Sequence, residues 1–99
     1  MPQAETQKKT VRVIIEGRVQ GVWFRSWTQQ NATARALAGW VRNRADGSVE
    51  ALFHGDKRDV NDMLETCWKG PSSSRVDKVT PENSLEAPPF TGFRVYPSV

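Results

Sequence analysis

The chain has 99 residues, 37% hydrophobic and 25% charged, so one domain that folds without disulfide or metal support is expected. No apolar run reaches the roughly 20 residues that span a bilayer, and a single cysteine, Cys67, excludes an internal disulfide. The net charge of +3 is local: Arg18, Arg25, Arg35, Arg42 and Arg44 lie between Gly17 and Ala45 with no acid among them, whereas Asp56 to Glu65 holds four acids. That bias suits a small anion or a nucleic-acid backbone, and equally an arginine-rich solvated face.

Met1 to Thr10 is polar, carries Lys8 and Lys9, and has no apolar stretch behind it. It reads as a frayed tail and not as a secretion signal. Residues 1–9 are therefore expected to form a flexible tail and residues 10–99 a single domain. The lone cysteine fits a reducing cytoplasm, and the sequon Asn31-Ala32-Thr33 is taken as chance spelling. Val11, Val13 and Ile15 alternate with their neighbours as a strand does. Gly17 to Trp23 holds two glycines and reads as a loop. A helix is expected from about Phe24 to Leu37. Its apolar stripe is weak, because Phe24, Thr28 and Ala32 compete with Trp27, Ala34 and Leu37, and Arg35 interrupts.

A second strand is expected over Trp40 to Arg44 and a third over Ser48 to His54, joined by the turn residues Ala45-Asp46-Gly47. Asp56 suits the N-cap of a second helix, in which Val60, Met63, Leu64, Cys67 and Trp68 form one stripe. Gly70-Pro71 stops it. Val76 to Val79 reads as a moderate strand, Pro81 to Pro89 as a loop, and Phe93 to Tyr96 as a short last strand. No repeat or second domain is visible. The order implies an α+β fold of the ferredoxin-like, split βαβ type: βαββαβ plus a short C-terminal strand, with an antiparallel sheet and two helices on one face. Such a fold hosts many functions, so function has to come from the site.

The informative stretch is Gly17-Arg18-Val19-Gln20-Gly21-Val22-Trp23-Phe24-Arg25, which joins a strand to the start of a helix. Unpaired N–H groups and the positive end of the helix dipole make such a turn a site for phosphate. Gly21 lets the backbone come close to a ligand, and Arg25 supplies a fork of donors for two phosphate oxygens. An ordinary strand-to-helix connection would show the same glycines. The stretch is not a Walker loop, since no Gly-Lys-Ser/Thr follows, and it lacks the spacing of a dinucleotide site.

The run GRVQGVWFR closely resembles the signature of the acylphosphatase family. A second family motif is matched by Gly39-Trp40-Val41-Arg42-Asn43 followed by Asp46-Gly47-Ser48-Val49-Glu50. The likeness runs from about Val11 to Tyr96. It implies a hydrolase that cleaves the carboxyl–phosphate anhydride of acyl phosphates to a carboxylate and inorganic phosphate. By the same resemblance, N–H groups of the loop Gln20, Gly21, Val22, Trp23, Phe24 and Arg25 would cradle the phosphate. The Arg25 side chain would bind the phosphoryl oxygens, and Asn43 would hold the attacking water. No metal or other cofactor is expected. Inorganic phosphate should inhibit as a competing product, and a cytoplasmic monomer without nucleic-acid or membrane partners is expected. One departure is Arg35-Ala36-Leu37, where the family has a Leu-Gly-Leu-like run; it leaves open how the first helix ends.

The chemistry suits sparse equipment. An acyl phosphate expels a carboxylate, which needs no proton at neutral pH, so phosphoryl transfer rests on positioning and charge neutralisation. Cys67 lacks the arginine of a Cys-x5-Arg loop, since that position is Ser73, and it falls in the second helix's stripe. His54 is the one histidine and is read as incidental. The alternatives are an RNA-binding module of the same fold, or a domain that only binds an acyl or carbamoyl phosphate. The first lacks the glycine-aromatic pattern on its third strand; Arg25 and Asn43 together weigh against the second.

Overall fold

The computed structural model describes residues 7–99. In chain order the elements are β1 (Lys8–Arg18), α1 (Phe24–Ala34), β2 (Ala38–Asn43), β3 (Val49–Asp56), α2 (Lys57–Cys67), β4 (Arg75–Asn83) and β5 (Phe93–Val95). Lys8 and Lys9, expected in the tail, are the first rungs of β1 and pair with Asp56 and Gly55. Gln7, also expected in the tail, accepts from the Lys57 N–H, and residues 1–6 lie outside the described residues. The ferredoxin-like order holds, with the strands arranged β4-β1-β3-β2-β5. Each neighbouring pair among β4, β1, β3 and β2 is antiparallel, but β5 joins β2 in parallel, so the sheet is mixed. The chain turns back after β4, which makes β5 antiparallel to β4 and hence parallel to β2.

Alternation in β1 and β3 builds the core. Val11, Val13 and Ile15 face the same way as Val49, Ala51 and Phe53, and all six are buried. Phe24 and Ala32 from α1, with Val60, Met63 and Cys67 from α2, complete the same cluster, so both helices cover one face of the sheet. On α1 the face that wins is Phe24, Thr28 and Ala32. Trp27 packs against its edge. Arg35 does not break the packing; its guanidinium bonds Asp62 at 2.8 Å and Thr66 at 3.0 Å, tying α1 to α2.

The first helix ends at Ala34, three residues before the expected Leu37. Ala36 adopts φ 56, Ala36 N–H bonds the Thr33 carbonyl and Leu37 N–H the Ala32 carbonyl. This is the helix-ending loop usually closed by glycine, here closed by alanine, and it turns Leu37 into the core. The second helix is as expected in extent, but Trp68 lies beyond its end and is half exposed. The fourth strand runs on through Pro81 to Asn83, where a loop was expected. It is an edge strand, and a residue without an N–H is tolerated there.

On the face of the sheet away from the helices, Glu50 is 3% exposed. It accepts hydrogen bonds from Arg42 at 2.7 Å and Arg12 at 2.5 Å. Burial pushes its pKa up, but the two arginines outweigh burial and hold it below the ordinary value. In β2, Gly39 is required by space: a Cβ there would meet the Leu52 carbonyl oxygen at 1.8 Å. The close β2–β3 pairing that results carries Asn43 at its end, opposite Val49.

Candidate active site

The loop between β1 and α1 is held from below and from the side. Val19 and Val22 are buried in the core and act as its two anchors. The Gln20 side chain donates to the Arg44 carbonyl at 2.7 Å and the Ser48 carbonyl at 2.9 Å, which fastens the loop to the β2–β3 hairpin. That hairpin is itself fixed by Asp46, whose carboxylate accepts from Ser48 Oγ at 2.6 Å and Ser48 N–H at 2.9 Å. These bonds from Ser48 lower the Asp46 pKa.

Between the anchors the backbone is turned outward. Gly21 has φ 72, and a Cβ there would meet nothing within 4 Å, so glycine serves conformation and not space. Trp23 is the N-cap of α1 at φ 65, ψ 21 and makes no side-chain cap. The first bond of the helix is Trp27 N–H to Trp23 O at 2.9 Å. Among the described residues no protein acceptor takes the N–H groups of Phe24, Arg25 or Ser26. The first turn contains no acidic residue. A helix start in this state attracts an anion through both its donors and its dipole.

These groups open on a cavity of about 560 Å³ lined by Val19, Gly21, Trp23, Phe24, Arg25, Ser26, Asn43, Val95, Tyr96 and Pro97. Its one charged lining residue is Arg25, and it has no carboxylate, histidine or thiol. Arg25 Nη1 donates to the Tyr96 carbonyl at 3.1 Å, which leaves the other guanidinium donors for a ligand. Asn43 reaches the cavity from the end of β2. Its carbonyl oxygen accepts from Val99 N–H at 3.0 Å, and no partner among the described residues takes its side-chain amide.

Of the residues expected at the site, Gly21, Trp23, Phe24, Arg25 and Asn43 come together around this cavity. Gln20 and Val22 do not line it; their side chains hold the loop in place. What sequence reasoning missed is the C-terminal wall of Val95, Tyr96 and Pro97. Tyr96 acts on Arg25 through its main chain, which no side-chain pattern can announce. Cys67 is buried in the core, where burial pushes its thiol pKa up to about 12. His54 bonds Thr10 at 2.7 Å, away from the cavity.

A family model described as Acylphosphatase matches residues 11–95. An acylphosphatase of Rhodospirillum rubrum is 55% identical over 93 residues, which cover 92% of this chain and 99% of the relative. Among solved structures, an acylphosphatase from Coxiella burnetii superposes with a TM-score of 0.87 at 32% identity, covering 97% of this chain and 100% of that one. The acylphosphatase from Bacillus subtilis gives 0.85 at 36% identity, covering 91% and 99%. Sequence and fold agree, and the chain belongs to the acylphosphatase family.

Proposed function

We infer that the cavity beside α1 is where this enzyme hydrolyses acyl phosphates, with the phosphoryl group in the cradle of N–H groups and the attacking water on Asn43. The observation that supports this most is the convergence of open helix N–H groups, Arg25 and the Asn43 amide on one cavity without a carboxylate. The phosphoryl oxygens accept from the N–H groups and from Arg25, which neutralise charge as the bond to the leaving group lengthens. The Asn43 carboxamide orients the water toward phosphorus. No side chain of the cavity is a base at neutral pH, so the water's proton passes to the phosphoryl oxygens or to solvent. The departing carboxylate is stable unprotonated, and no general acid is required. An alkoxide would need one, so phosphomonoesters should be poor substrates.

The reading includes metal independence, because the cavity lining offers no carboxylate, histidine or thiol to hold an ion beside the phosphoryl group. It includes competition by inorganic phosphate, which fits the same donors. Nucleic acid is not the partner proposed: Arg12 and Arg42, on the open face of the sheet, are engaged by Glu50. The enzyme is proposed to act as a cytoplasmic monomer. The test is hydrolysis of benzoyl phosphate by purified protein, with an alkyl phosphomonoester, glycerol 3-phosphate, alongside and excess chelator in a parallel series. Turnover of the first substrate alone, undiminished by chelator and inhibited competitively by phosphate, is expected. Activity that needs an added divalent ion, or non-competitive inhibition by phosphate, overturns the mechanism.

A further inference from the structure

The cradle uses Trp23 for its backbone, and nothing in that use calls for an indole. Yet the residue is held at φ 65, a region that bulky side chains disfavour, and is 80% exposed. Val95 and Pro97 are exposed as well, and all three line the cavity that holds Arg25. The cavity therefore joins cationic, donor-rich groups to exposed apolar and aromatic ones. Clustered exposed apolar groups at the mouth of a polar site mark a surface that a ligand covers.

We propose that Trp23, with Val95 and Pro97 in the same cavity lining, recognises the acyl group and favours aromatic acyl phosphates over those with small acyl groups. The inference rests on the reading of the cavity as the site of acyl phosphate hydrolysis. With the phosphoryl group in the cradle, every substrate presents the same anion to Arg25, and only the acyl end distinguishes one from another. A flat aryl group can stack on or tilt against an indole, whereas a methyl group offers no face. The contact lies away from the phosphorus–oxygen bond being broken and is equally good before and during reaction. It therefore lowers KM for aryl substrates and leaves their kcat little changed.

The experiment is steady-state kinetics on benzoyl phosphate and acetyl phosphate with the parent enzyme, Trp23→Phe, Trp23→Ala and Trp23→Gly. The ratio of kcat/KM for benzoyl over acetyl phosphate is expected to fall about tenfold in the alanine and glycine variants, through a higher KM for benzoyl phosphate. Phenylalanine should keep most of the preference. Glycine adopts φ 65 without strain, so a loss in that variant belongs to the missing ring and not to a displaced backbone. An unchanged ratio in both small variants overturns the inference. So does an equal loss on both substrates, which would make the indole a shield for the cradle. A parent inactive on both substrates overturns the reaction assignment and this inference with it. A parent active on both, with a ratio that ignores residue 23, overturns this inference alone.

Discussion

The two helices have eleven residues each and begin in opposite ways. At the start of α2 the Asp56 carboxylate accepts the Arg58 N–H at 2.9 Å, and the Gln7 carbonyl takes the Lys57 N–H at 2.8 Å. Asp59 adds a negative charge to that first turn. The α1 start has none of these: no side-chain cap, no acid, and a left-handed tryptophan as its last non-helical residue. One helix has its first two donors satisfied from within the chain, as stability favours. The other leaves them for something from outside, and gives up the stability a cap would supply.

The largest effects should come from the two side chains that face the open donors. Arg25→Ala is expected to weaken phosphate binding and abolish turnover, with lysine a poor replacement because a point charge lacks the two-pronged geometry. Asn43→Ala should lower kcat by about 10²–10³ while phosphate binds nearly as in the parent, since its contact matters only as the bond forms. Calorimetric phosphate titration and steady-state kinetics on both variants decide this. Near-parent kcat in Asn43→Ala, or undiminished phosphate affinity in Arg25→Ala, would sink the assignment.

Saturating phosphate should supply what the α1 start lacks. At 100 times its Kd the expected stabilisation is about 2.7 kcal/mol, read as a rise in Tm that Arg25→Ala reduces. A Tm indifferent to phosphate would mean that the donors are not a binding site. At the other helix, Asp56→Ala should cost about 1 kcal/mol in chemical denaturation and leave turnover unchanged. A comparable loss of activity would show that the two helix starts are not independent. The smallest change is at the far end of α1, where Ala36 sits at φ 56. Ala36→Gly should stabilise by about 0.5–1 kcal/mol, because glycine removes the left-handed strain at some entropic cost in the unfolded chain. A destabilised glycine variant would show that the alanine methyl contributes packing worth more than the strain.

What could be read from the residues follows from which chemistry lies in side chains. Val11, Val13 and Ile15 announce a strand, and Asp56 announces a helix start, because each acts through its own side chain. The loop was suggested by its glycines and by Arg25 before a helix, and Asn43 was expected only from the family resemblance carried on two motifs. The end of α1 was not legible, since alanine at position 36 hides a turn that glycine would have signalled. Pro81 suggested a loop because local preference cannot see that β4 is an edge strand. Tyr96 stayed hidden because its carbonyl does the work and any residue has one.

That carbonyl also bears on when the enzyme becomes active. Arg25 and Tyr96 are 71 positions apart, and the segment that brings them together follows the three-residue strand β5. Tyr96 N–H is bonded to Val41 O and its ring stacks on Trp40 at 5.7 Å, so the segment docks only on a β2 already in place. The pairing of β1 with β4 spans a separation just as long, from Val11 to Asn83, so aiming the arginine demands no longer a loop than closing the sheet. Activity should therefore return together with helix and sheet content in a refolding experiment, as parts of one cooperative transition.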